Sequence, residues 1–163
     1  MSLMIRQAVK EDGPFLYDLA YAHFYETLAA WAWEPLARDK LLKIQIDGQR
    51  ATYQAQFPHA QHGIIMLDDR AIGRLLIDRG VDFDTLVDIV MLQEKRGAGI
   101  GTWILKALCI EADLTNKRMR LHVQPANRAK NLYERLGFHK IEDLEVVWLM
   151  ERLPNTGARI AAP

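Results

Sequence analysis

The sequence has a single cysteine, Cys109, in 163 residues. One thiol excludes an intrachain disulfide and a cysteine-based metal cluster, and it suits a reducing compartment. An excess of either charge is also missing: 21 basic and 21 acidic side chains leave a formal net charge of zero. Proteins that grip nucleic acid by bulk electrostatics show a basic surplus, so no nucleic-acid partner is expected. No apolar run approaches the roughly 20 residues of a membrane span, so no membrane association is expected. The opening MSLMIRQ lacks a basic segment followed by an apolar one, so no export signal is expected and the cytoplasm is the expected location. Metal-ligand patterns are scarce. His59 and His62 stand three apart beside Pro58 with no acidic partner nearby, and no metal is expected. Leu153 to Gly157 reads LPNTG, but without the apolar span and basic tail of a cell-wall sorting signal it is a chance match.

What is present is half apolar and about a quarter charged, the balance of a soluble globular domain with a real core. Met4 to Ala8 reads as a first strand, followed by a turn-prone Glu11-Asp12-Gly13-Pro14. Phe15 to Ala30 carries apolar residues at helical spacing, Pro35 marks a break, and Leu36 to Phe57 is a second helix with a polar, glutamine-rich second half. Gly63 to Leu67 and Ala71 to Asp78 form a hairpin about Asp68-Asp69, and Leu86 to Leu92 is a further strand. Gly101 to Leu114 is an amphipathic helix. Lys117 to Arg120 reads as a solvated turn running into a short strand, Arg120 to Val123. Ala129 to Leu136 is a short helix closed by Gly137, and His139 to Arg152 supplies one or two closing strands. This order predicts an α/β domain over residues 4–152, with a mixed, mostly antiparallel central sheet and helices on both faces. Residues 153–163 are expected to be a flexible tail.

Three glycines at alternate positions, Gly97, Gly99 and Gly101, join the strand to the following helix. A helix start offers unpaired N–H groups and partial positive charge, and glycines let a phosphate come close. A Walker loop is excluded, because Thr102-Trp103 stand where it needs lysine and a hydroxyl residue. A dinucleotide fingerprint wants another glycine spacing, early in its βαβ unit. The remaining readings are a phosphate site of another kind and a turn that merely lets the helix pack close to the strand.

Arg96-Gly97-Ala98-Gly99-Ile100-Gly101 follows the strand Asp88 to Leu92, and about 30 residues on comes Asn127-Arg128-Ala129-Lys130-Asn131-Leu132-Tyr133-Glu134-Arg135-Leu136-Gly137-Phe138. These two stretches, with the element order around them, resemble the acetyl-CoA-binding core of the GNAT family of N-acetyltransferases. The resemblance implies a GNAT-like fold and transfer of an acetyl group from acetyl-CoA, as co-substrate, to an amine of a small molecule or peptide. It implies that the backbone of Ile89, Val90 and Met91 pairs with the pantetheine arm, and that backbone N–H groups from Gly97 through Ala98, Gly99, Ile100 and Gly101 to Thr102 hold the pyrophosphate. Arg96 adds charge there. Met91 N–H is the implied oxyanion donor.

Tyr133 occupies the position of the family's usual tyrosine acid, with a core tyrosine packed beside Leu132 and Phe138 as the alternative. Asn127 or Asn131 is the implied partner of the cofactor arm, with a helix cap as the alternative for either. The general base stays open between Asp88, Glu26 and His122. Asp88 shares a strand face with Val90, so it points into the acceptor cleft or into solvent. In this family the first two helices shape the acceptor site, and here that region is aromatic, from Tyr17, Tyr21, Phe24 and Tyr25 to Trp31 and Trp33. The two tryptophans read as a pocket lining, as packing, or as a homodimer contact. A non-catalytic acyl-CoA-binding or regulatory module is the rival function.

Overall fold

The computed structural model describes residues 2–28 and 34–157. Trp31 and Trp33 lie outside the described residues. Seven strands hydrogen-bond in the order β1-β2-β3-β4-β5-β7-β6. Among the described residues four α-helices accompany them, and the order of strands and α-helices is the one expected above. By contacts the chain divides into two compact units: Met1–Leu76 with Asp88–Lys95, and Ile77–Val87 with Arg96–Pro163.

The first unit begins with β1 (Leu3–Gln7), antiparallel to β2 (Gln61–Leu67) from Leu3↔Leu67 to Gln7↔Gly63. A corner follows β1. Asp12 accepts bonds from both terminal nitrogens of Arg6, at 2.7 and 2.6 Å, and from the Val9 N–H at 2.8 Å. The Arg6 guanidinium first, and the Val9 N–H second, hold the Asp12 carboxyl down at about 2. Helix α1 (Gly13–Leu28) starts directly on this corner. Helix α2 (Pro35–Gln56) starts on Pro35, whose fixed φ suits a first helical turn and whose missing N–H costs nothing there. Tyr21 on α1 donates to Asp39 on α2 at 2.8 Å, and the Arg38 guanidinium lies 4.8 Å from the Tyr25 ring centroid. The aromatics of α1 therefore tie it to α2. Leu19, Leu42, Ile64, Ile65 and Ile72 are buried almost completely. Each such side chain contributes roughly 1.5–3 kcal/mol by leaving water. The β2–β3 turn is Asp68-Asp69, both at positive φ (45° and 65°), the left-handed pair that matches strand twist in a two-residue hairpin.

Strands β3 (Arg70–Arg79) and β4 (Phe83–Met91) run through both units. In the second unit β4 lies parallel to β5 (Arg118–Val123), since α3 (Ile100–Leu114) returns the chain to the same end. Helix α3 buries Ile100, Ile104, Leu105, Leu108, Cys109 and Ala112, a single face at three-to-four spacing. Helix α4 (Ala129–Arg135) precedes the antiparallel pair β6 (His139–Asp143) and β7 (Trp148–Arg152), and β7 also pairs with β5.

Lys117 to Arg120 is not the solvated turn expected. Arg118 and Arg120 lie on β5 and bond Glu151 on β7 at 3.4 and 2.7 Å, while Lys117 donates to Gly80 O at 2.7 Å. Arg152 grips Asp113 with two bonds, at 2.7 and 2.9 Å, and the Asn155 N–H reaches the same carboxylate at 2.7 Å. Residues just beyond β7 are thereby held to α3.

Candidate functional site

The glycine stretch opens α3. Gly97 and Gly99 both have positive φ, 77° and 79°, and Gly99 is the residue before the first helical turn. A Cβ at either would meet nothing within 4 Å. Close packing of helix on strand is therefore not what keeps these positions bare. The left-handed backbone favours glycine, and the space beside it is open. Gly73 on β3 shows the opposite case: a Cβ there would come 2.5 Å from the Val90 carbonyl oxygen.

The first intrahelical bond of α3 is from Trp103 N–H to Gly99 O at 2.9 Å. The N–H groups of Ile100, Gly101 and Thr102 thus have no acceptor within the helix. No side chain caps this end, and no acidic residue stands in the first turn. Ile100 is buried and anchors the turn, Gly101 and Thr102 are half-buried, and Arg96, Gly97, Ala98 and Gly99 are exposed. This end of α3 can receive an anion on backbone donors, aided by the helix dipole.

Upstream, the register of β4 with β5 covers Phe83↔Arg118 to Leu86↔Leu121 and stops there, although β4 continues to Met91. Ile89, Val90 and Met91 all lie past that last pair. Val90 is buried, and Ile89 and Met91 are half-buried. Asp88 is not a lone strand carboxylate facing solvent. It is half-buried, and it is bonded by Nε (2.8 Å) and Nη2 of Arg74. Arg74 Nη2 also donates to Gln49 Oε1 on α2 at 2.9 Å. Beside this pair, burial first and the Asp88 charge second push the Tyr53 phenol up to about 12. Glu26 lies on an exposed part of α1, and His122 is exposed on β5 opposite Leu149.

In the second unit Tyr133 is 8% exposed, and its ring meets Phe138 edge to face at 5.9 Å. Gly137, at φ 92°, turns the chain so that Phe138 N–H reaches Tyr133 O. Asn127 Oδ1 accepts from the Ala129 N–H at 2.9 Å, so Asn127 shapes the start of α4. Asn131 is exposed on that helix.

Sequence reasoning missed Arg74, Gln49, Arg50 and Tyr53. They belong, with His62, to the lining of a cavity of about 420 Å³ in the first unit, between α1, α2 and the strands β2 and β3. The local signal was the polar second half of α2, where Tyr53 follows Gln49 by four positions and Arg50 by three. Among the described residues no group of three or more His, Cys, Asp or Glu is placed to hold a metal ion. No described helix is long and apolar enough to cross a membrane.

Three solved structures illustrate the fold. The PaiA N-acetyltransferase of Thermoplasma acidophilum, in complex with coenzyme A, matches at TM-score 0.68 and 18% identity, over 94% of this chain and 99% of that one. The ribosomal-protein-S18-alanine N-acetyltransferase of Escherichia coli matches at TM-score 0.63 and 17% identity, over 99% of this chain and 100% of that one. Ard1 of Thermoplasma volcanium matches at 0.63 and 14%, over 95% and 99%. At such identities the likeness is one of fold. The family model described as the acetyltransferase (GNAT) domain matches residues 58–140, just over half of the sequence and inclusive of β4, the glycine stretch and Tyr133. The chain belongs to the GNAT acetyltransferase family.

Proposed function

We propose that the protein is an N-acetyltransferase that passes the acetyl group of acetyl-CoA to a primary amine of a small molecule or peptide by direct attack. The observation that carries this reading is the uncapped start of α3, opened by two left-handed glycines with free space beside them. The backbone N–H groups of Ile100, Gly101 and Thr102 hold the pyrophosphate, with those of Gly97, Ala98 and Gly99 approaching the same oxygens and Arg96 adding charge. Ile89, Val90 and Met91 line the pantetheine arm past the end of the β5 register. Acetyl-CoA supplies an activated thioester carbonyl.

The protein's own tasks are then few. Met91 N–H faces the charge that develops on the carbonyl oxygen. A carboxylate, Asp88 or Glu26, takes the proton released as the C–N bond forms. Tyr133 donates a proton to the sulfur as the C–S bond breaks; even a phenol near pKa 10 stabilises a departing thiolate through its hydrogen bond. Asn127 acts by holding the start of α4, and so the placement of Tyr133; Asn131 is the exposed side chain left for the cofactor arm. In this reading residues 4–152 are one acetyltransferase domain working in the cytoplasm, without metal.

One observation favours the rival, a non-catalytic acyl-CoA-binding module: Asp88 is already engaged by Arg74. A thermal-shift titration with acetyl-CoA, with NAD and ATP alongside, tests both readings. At 100 times its dissociation constant a ligand adds about 2.7 kcal/mol, and each kcal/mol moves Tm by roughly 2–4 °C in a chain of this size. A shift with acetyl-CoA alone, followed by thiol release on adding amines, is the expected result. A shift without release from any amine would favour the module, and a shift with a nucleotide instead would reject both.

A further inference from the structure

The cavity of the first unit is not explained by cofactor binding. It measures about 420 Å³, within the range of small-ligand pockets. Leu16, Ala20, Ile46 and Leu76 give it apolar walls. Its polar lining is unbalanced. Asp47 is taken by Lys43 at 2.6 Å, and Arg74 is matched by Asp88. Lys10 and Arg50 also line the cavity, and neither takes part in an ion pair among the described residues. Arg74 uses Nε and Nη2 for Asp88 and Gln49, and its Nη1 takes no part in these bonds.

Resting on the acetyltransferase reading above, we propose that this cavity is the acceptor pocket, and that it selects a small primary amine that also carries an anionic group, bound by Arg50 and the Nη1 side of Arg74.

Three observations converge on this. The surplus of cations over acids in the lining favours a ligand with negative charge. Arg74 connects that lining to Asp88, one of the candidate bases, which it holds through Nε and Nη2. The same charges bear on the cavity's own histidine: burial first, then Arg74 and Arg50, hold the His62 imidazole below its usual value. A neutral or cationic amine would gain nothing from Lys10 and Arg50, whereas a carboxylate or phosphate offers a guanidinium paired, charge-assisted bonds. The apolar walls leave room for a side chain of modest size.

The test compares amines that differ only in the acid group: tyrosine with tyramine, leucine with isoamylamine, and phosphoethanolamine with ethanolamine. With acetyl-CoA saturating, thiol release is expected to give the acid-bearing member at least a tenfold higher kcat/KM in one pair or more, and the responding pair tells carboxylate from phosphate. Arg50→Ala should narrow that gap to under threefold, chiefly through KM, and Arg50→Lys should restore part of it. Thiol release that is measurable but equal within every pair, or preference for the member without the acid, overturns the proposal. The same compounds are also titrated by thermal shift without acetyl-CoA. A shift by acid-bearing members that Arg50→Ala removes supports the pocket chemistry even where no thiol is released, and no shift with any of them together with no release overturns it. Failure of the acetyl-transfer reading itself shows separately, as an absent shift with acetyl-CoA.

Discussion

Gly73 and Gly99 are glycines for opposite physical reasons, and single substitutions separate them. At Gly73 a methyl group would press on the Val90 carbonyl oxygen, which belongs to the backbone and cannot move aside. Gly73→Ala should therefore cost on the order of 1–3 kcal/mol through overpacking. At Gly99 there is room but the φ is 79°, so Gly99→Ala should cost about 1 kcal/mol through backbone strain. Urea denaturation would rank the two. Gly99→Val should also weaken acetyl-CoA binding, read by calorimetry, because the side chain projects into the space assigned to phosphate; unchanged affinity would reduce the loop to a turn. Tyr133 is a third residue-scale test. Tyr133→Phe keeps the ring against Phe138 and so keeps the fold. Turnover should fall on the order of 10²-fold with acetyl-CoA affinity retained. Equal turnover would make Tyr133 a core tyrosine only.

At the scale of elements, the corner between β1 and α1 sets an acid limit. Asp12 has its folded pKa lowered to about 2, so its contribution is fully present above the unfolded carboxyl value near 3.9 and is lost as pH falls from there toward 2. The Tm difference between the protein and Asp12→Asn should be constant above pH 5 and close between pH 4 and pH 2. A difference that persists at pH 2 would mean the corner is held by something other than the ionised carboxylate. Elements also differ in how visible they were in advance. Helix α3 was legible within a residue, because its apolar face repeats at three and four and its glycines mark the start. The hairpin at Asp68-Asp69 was legible because its turn residues tolerate positive φ. Strand β4 begins three residues earlier than expected, at Phe83, since the buried Asp84 reads locally as loop; its partners are Arg79 and Lys117, the latter 33 positions away. Strand β5 likewise begins at Arg118, because the acid that pairs its arginines is Glu151.

On the scale of the whole molecule, ligand linkage gives the broadest test. If acetyl-CoA binds only the folded chain, Tm should continue to rise with the logarithm of ligand concentration beyond saturation, with no plateau. A plateau would point to binding by the unfolded chain as well. The match over residues 58–140 and the fold similarity over nearly the full chain come from different parts of the molecule's information. The first reports local motifs. The second reports how strands that are distant in sequence pair.

The amino-acid sequence by itself determined the order of elements, the glycine opening of α3, the position of Tyr133 and the family. These depend on short-range properties: apolar period, backbone freedom and the residues next to them. Only the tertiary structure decided that Asp88 faces Arg74 rather than solvent, that Asn127 shapes the start of α4, that Gly97 and Gly99 are bare without any neighbour to crowd them, and that a cation-lined cavity exists between α1, α2 and their strands. Each of these depends on which residues the fold brings within a few ångströms. For Asp88 and Arg74, 14 positions apart on neighbouring strands, that is a matter of register, which no local pattern of residues specifies.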